Sequence, residues 1–121
     1  MAYKKDLELE RKWQRLAKAV EVAIDKRPKD LNAFLFLIGV QELGKGTRQF
    51  SKEEKQDLMH IATCKVLSYA GFYELEGLDD AGWPHWKLVK DLPKLGLSDQ
   101  EKLLKMHILE YFEKEVGYEL T

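Results

Sequence analysis

The stretch GLDDAGWPHWKLVKDLPKLG concentrates side chains that could bind a ligand or a partner. Trp83 and Trp86 each combine a large apolar ring with an indole N–H donor, a combination enriched at protein interfaces. Asp79, Asp80 and His85 carry oxygen and nitrogen atoms of the kind that coordinate metal ions. These five residues form the candidate interaction surface of the chain.

A structural role for the same stretch competes with binding. Asp-Asp-Ala-Gly is an ordinary turn sequence, and tryptophan rings can cover the open end of a helical bundle. Two indoles left in water beside an apolar core would forgo on the order of 25 cal/mol for each Å² of apolar area. We therefore predict that at least one of Trp83 and Trp86 is mostly buried between the third and last helices, while the other is a contact at the surface.

The other residues that could do chemistry do not complete a known site. His60 and Cys64 are four apart, which places them on one helical face, but the chain has a single cysteine and a structural zinc site needs more ligands. Asp57-x-x-His60 matches half of the carboxylate and histidine pattern of di-iron bundles, whereas the order is reversed around His107. We assign no catalytic residue, no metal and no cofactor. A chemical role for His60, His85 or His107 stays open.

Charge along the chain bears on nucleic acid as a partner. Arg11, Arg15, Lys18 and Lys26 share the outer face of the first predicted helix and form a candidate basic face. The whole chain is nearly balanced, with a net charge of −1. A stretch of helices followed by a hairpin and a helix would loosely match a winged-helix domain, but the candidate recognition helix begins SKEEKQD, which mixes both signs of charge. Phosphate contacts need a basic face that acidic residues do not dilute. We therefore treat nucleic-acid binding as the alternative function and not as the main prediction.

Two helices are predicted in the first part of the chain. Apolar residues at spacings of three and four indicate a helix over residues 4–27, which Pro28 ends. The segment AFLFLIGV is apolar on every side and predicts a buried helix over residues 30–43, with Asp30 as its N-cap. Gly39 would let a neighbouring helix approach closely.

Two more helices begin with the same signature. Ser51 and Glu54 form a capping box, and the helix that follows extends to about residue 69. Ser98 and Glu101 predict a second capping box for the last long helix, which ends at Gly117.

The segment between these helices, residues 77–96, permits two structures. Polar and apolar residues alternate across DDAG, which would suit a β-hairpin. Alternatively, Pro84 begins a short helix that Pro93 ends. We favour the short helix and leave the hairpin open.

The sequence thus predicts one mainly α domain over residues 1–121, a bundle of about four principal helices with an irregular aromatic segment. The longest apolar run is far shorter than the roughly 20 residues that span a bilayer, and MAYKKDLELERKW lacks the apolar core of a secretory signal. We expect a cytoplasmic, non-catalytic domain that acts through a protein partner or self-association. A small helical enzyme without a recognisable motif is the third possibility.

Overall fold

Four α-helices and one β-hairpin make up the part of the chain that the computed structural model describes, residues 2–46 and 48–120, with side chains from residue 6 onward. The elements are α1 (Ala2–Ile24), α2 (Leu31–Leu43), α3 (Lys52–Ser68), β1 (Tyr73–Leu78), β2 (Pro84–Leu88) and α4 (Leu97–Tyr111), and a π-helical turn, Phe112–Val116, continues α4. The predicted mainly α architecture with four principal helices is confirmed.

Local capping sets the ends of α2 and α3 as predicted. The Asp30 carboxylate accepts a hydrogen bond from the amide of Ala33 at 3.0 Å. Gly44 ends α2 with a left-handed φ of 69°, a conformation that glycine adopts without strain. At the start of α3 the Ser51 hydroxyl accepts from the Glu54 amide, and the Glu54 carboxylate accepts from the Ser51 amide. The capping box at α3 is therefore confirmed.

The second capping box is wrong. Gly96 is the N-cap of α4, and the helix begins at Leu97 without any side-chain cap. Ser98 thus already lies inside the first turn, where its backbone is helical and its hydroxyl is not placed to cap. The end of α1 also differs from the prediction. The chain leaves the helix at Asp25, which has a left-handed φ of 56°, so α1 ends before the residues that Pro28 restricts.

Helices α2 and α3 approach each other closely at Gly39. A Cβ atom placed on this glycine would lie 2.3 Å from the carbonyl oxygen of Leu58 in α3. Only glycine permits that approach, so the predicted close contact is confirmed. The main core lies between the four helices and includes Leu16, Val20, Phe34, Ile38, Val66, Ile108, Tyr111 and Leu120.

Residues 73–88 form the β-hairpin, so the favoured short helix is wrong and the alternative is right. The strands are antiparallel, with Tyr73 opposite Leu88 and Leu75 opposite Trp86, and a bulge lies between Leu75 and Gly77. Residues directly opposite each other share one face of a hairpin. These two pairs place four apolar side chains on one face of the hairpin. A short helix that began at Pro84 could not bring the four together.

Candidate functional site

The hairpin packs against α3, and both line an open hollow of about 500 Å³. Its walls include Glu54, Asp57 and His60 from α3, and Asp79, Trp83, His85 and Trp86 from the hairpin. The fold thus brings together four of the five residues of the candidate interaction surface. Asp80 is exposed on the turn and does not line the hollow.

Asp79 organises the tip of the hairpin. Its Oδ1 accepts hydrogen bonds from the amides of Ala81 and Trp83, each at 2.9 Å, and its Oδ2 lies 3.0 Å from Nε2 of His85. The hydrogen bond with His85, followed by the one from the Trp83 amide, lowers the pKa of Asp79. Lys45, from the loop after α2, donates to the carbonyl of Ala81 and ties the tip to the helices. The Asp79 carboxylate therefore shapes the turn and stays ionised at neutral pH.

Neither indole is fully inside or fully outside the protein. Trp83 is half-buried and packs against a small cluster of Leu43, Phe50 and Leu58, between α2 and α3. Trp86 is also half-buried, and its Nε1 atom is shielded from solvent without a hydrogen-bond partner in the described residues. The predicted division into one inward and one outward ring is therefore not observed. The covered end lies at α2 and α3, because the hairpin folds back onto α3.

The other two histidines, His60 and His107, each lie within hydrogen-bonding distance of a side chain on the same helix. Nε2 of the exposed His60 lies 3.5 Å from Sγ of Cys64, which is fully buried. Burial raises the pKa of the Cys64 thiol to about 11, so it stays protonated and is a weak nucleophile at neutral pH. Nδ1 of His107 lies 3.0 Å from Glu110, whose other oxygen binds Lys114 at 2.7 Å. In the described part of the chain, no group of three or more His, Cys, Asp or Glu side chains is arranged to hold a metal ion.

A polar network that the sequence did not suggest joins three helices. The Tyr111 hydroxyl donates to Glu42 at 2.9 Å, and the Tyr69 hydroxyl donates to Glu115 at 3.1 Å. Lys65 lies between the two carboxylates, 3.8 Å from Glu42 and 3.3 Å from Glu115. Burial raises the pKa of both tyrosines, and the nearby glutamates raise it further. No sequence spacing links positions so far apart, so only the fold could show this network.

Three members of the candidate basic face, Arg11, Arg15 and Lys18, are exposed on α1, whereas Lys26 lies beyond the end of that helix at Ile24. Two of the four are engaged. Nη1 of Arg15 donates to the carbonyl of Leu120 at 3.1 Å, and Lys18 forms an ion pair with Glu21 at 3.7 Å. Arg11 and Lys26 are exposed. Of the four, Lys18 alone is paired with a described carboxylate, so most of the positive charge of the face is not offset within the described residues.

Comparisons with known proteins do not identify a relative. No family model, no curated protein and no solved structure gives a significant match to this chain. Among the described residues, no helix combines the length and the apolar character needed to cross a membrane. The geometry of the chain itself is therefore the guide to its function.

Proposed function

We propose that this protein is a cytoplasmic, non-catalytic domain that acts through contact with another protein, and that the hairpin surface binds a basic segment of that partner. The hairpin surface means the hollow between α3 and the hairpin together with the exposed apolar residues around it. One observation carries the proposal. The walls of the hollow combine two indole rings with three carboxylates, and no Lys or Arg is among the described residues that line it.

The charges of the hollow favour a cationic side chain. Asp57 makes no ion pair with another described residue, and Asp79 is ionised. Glu54 is also ionised, since the Ser51 amide lowers its pKa, but Arg48 pairs with it at 3.0 Å. The indoles add aromatic faces, which attract Lys and Arg through cation–π interactions. A guanidinium group can meet both features at once.

Apolar residues on the same hairpin favour a protein over a free small cation. Leu75 and Leu88 share a face with Trp86, and they are 53% and 47% exposed. Leu78, near the tip, is 65% exposed. An exposed apolar set beside polar groups is typical of a protein contact.

A second copy of this chain fits the strand edges less well. Glu74 and Glu76 lie in β1, so two β1 strands paired edge to edge would bring like charges together. A different protein with basic residues avoids this repulsion.

Nucleic-acid binding is the second candidate. The order of α2, α3 and the hairpin is that of a winged-helix domain, with α3 in the recognition position and the hairpin as the wing. However, Asp57 on α3 and Asp79 and Asp80 at the tip would then face the phosphates. These carboxylates repel a phosphate backbone, which is why we favour a basic protein segment.

A peptide titration tests the proposal. We expect a synthetic peptide of alternating Arg and Leu to bind the full chain and change its tryptophan fluorescence, and we expect an alternating Glu and Leu peptide not to displace it. Asp57→Lys should weaken binding by about tenfold, because it replaces an attraction with a repulsion. Asp91→Lys, at an exposed position outside the hollow, is the matched control and should bind like the wild type. Failure of the Arg peptide to bind would refute the proposal.

A labelled DNA duplex separates the two candidates. If the wild type retains the duplex at low salt, and joint replacement of Arg11, Arg15 and Lys18 by Ala abolishes that retention, nucleic-acid binding through the basic face of α1 is supported instead. Retention should then fall steeply as salt is added, since counterions are released on binding.

A further inference from the structure

An apolar groove of about 480 Å³ lies where the end of α1 meets the start of α2. It is lined by Ile24 and Pro28, by Phe36 and Leu37 of α2, and by Met59 of α3. Pro28 and the three α2 and α3 side chains are half-buried, and Ile24 is 47% exposed. The side chains thus form the wall of an open groove, and its volume is in the usual range of about 300–1,000 Å³ for binding sites.

The rim of this groove is basic. Lys26, Arg27, Lys29 and Lys55 all line it. Arg27 is already bound to Glu21 and Gln14, whereas the three lysines form no ion pair with any described residue.

One acid, Asp30, also lines the groove among the described residues, and its Oδ1 is occupied by the N-cap hydrogen bond from Ala33. The rim therefore carries more positive than negative side chains, and it surrounds an apolar groove. Charge complementarity then requires that an occupant present acidic groups beside apolar ones.

We infer that this groove binds an acidic amphipathic segment of a partner protein, with apolar side chains in the groove and carboxylates against Lys26, Lys29 and Lys55. Helices that lay an apolar stripe into a surface groove are a recurring mode of peptide recognition. A fatty acid also has apolar and anionic parts, but its chain needs an enclosure that covers most of its surface. The open wall here favours a peptide.

The inference is independent of the proposed function at the hairpin. The hairpin hollow selects a basic segment, and the groove selects an acidic one. The sign of the charge on a bound peptide therefore distinguishes the two surfaces. Either proposal can be refuted while the other still holds.

The test uses the full chain and a labelled synthetic helical peptide, with Leu at i, i+3, i+4 and i+7 and Glu at its other exposed positions. We expect it to bind by fluorescence anisotropy, with affinity that falls as salt is added. Joint substitution Lys26→Glu and Lys29→Glu should weaken binding by about tenfold, because each change replaces an attraction with a repulsion. Lys94→Glu, exposed in the connector before α4 and outside the groove, should leave binding unchanged.

A second pair of variants tests the apolar wall without disturbing the core. Ile24→Ser should weaken binding several-fold, while Val22→Ser, which is 73% exposed on the same helix and does not line the groove, should not. Binding of the Glu peptide that the joint substitution Lys26→Glu and Lys29→Glu leaves unchanged would overturn the inference, and so would a complete lack of binding by the wild type. Displacement of the peptide by a fluorescent fatty acid that binds more tightly would reassign the groove to a lipid.

Discussion

Gly39→Ala tests whether the contact between α2 and α3 depends on the absence of a side chain. In an isolated helix this substitution is favourable, because alanine is about 1 kcal/mol better than glycine in a helix interior. In the folded protein the added Cβ would lie 2.3 Å from the carbonyl oxygen of Leu58, 2.7 Å from its carbonyl carbon and 2.8 Å from its Cβ. Helix propensity and packing thus have opposite effects on stability. The sign of the measured change in the free energy of unfolding shows which of them is larger.

The packing effect should be the larger one. The atoms that Cβ would meet belong to the backbone and Cβ of Leu58, so no side-chain rotation can relieve the clash. The helices would have to separate by about 1 Å to restore ordinary contact, and overpacking of this kind costs roughly 1–3 kcal/mol. Taking the upper end for a backbone clash and subtracting the gain in helix propensity leaves a net loss of about 2 kcal/mol in the free energy of unfolding. For a domain of this size the melting temperature would fall by roughly 6–12 °C.

Urea denaturation followed by circular dichroism measures this change directly. The midpoint should move to lower urea while the slope stays the same. Gln41→Ala, exposed on the same helix, is the control and should alter the free energy of unfolding by less than about 0.5 kcal/mol. If Gly39→Ala instead raised stability by about 1 kcal/mol, as helix propensity alone predicts, the close approach of α2 and α3 would be refuted.

Four other substitutions test packing, capping and titration. Val66→Asp buries an unpaired charge at a fully buried position, so thermal denaturation should show a loss of roughly 3 kcal/mol or more, and an unchanged melting temperature would contradict the core. Ser51→Ala should cost about 1 kcal/mol because it removes a cap, whereas Ser98→Ala should stay within about 0.5 kcal/mol, and equal costs would argue against the start of α4. Above the usual thiol pKa of 9.0 the unfolded chain releases the Cys64 proton while the folded chain holds it up to about 11, so stability falls as pH rises through that window. Urea titrations at several pH values should show a smaller alkaline loss of stability for Cys64→Ala than for the wild type. If stability depended on pH equally in the two proteins, the thiol would not contribute.

Local patterns were sufficient for much of the helical framework. Asp30 and Ser51 act on amides three residues away, so their caps follow from the neighbouring sequence. Gly39 could be identified as a point of close approach because it is the one residue without a side chain in an apolar helix. Ser98 misled the same approach, since Leu97 already has helical geometry and the cap moves to Gly96.

The candidate site was predicted only in part. The cluster of Trp83, His85 and Trp86 was visible because its members are close together in the sequence. Its opposite wall was not, since Asp57 and His60 reach the hollow only when the hairpin folds onto α3. The choice of hairpin over helix also depends on packing, because a short apolar segment can satisfy either pattern.

What the sequence by itself determined is the mainly α class, the starts of α2 and α3, and the concentration of aromatic and acidic residues before α4. These features depend on side chains within a few positions of one another, where bond geometry limits the distances. The tertiary structure decided that both indoles are half-buried, that Tyr111 meets Glu42, and that an apolar groove with a basic rim lies at the start of α2. Such features need residues from separate elements to meet, and helix packing rather than sequence spacing sets those distances.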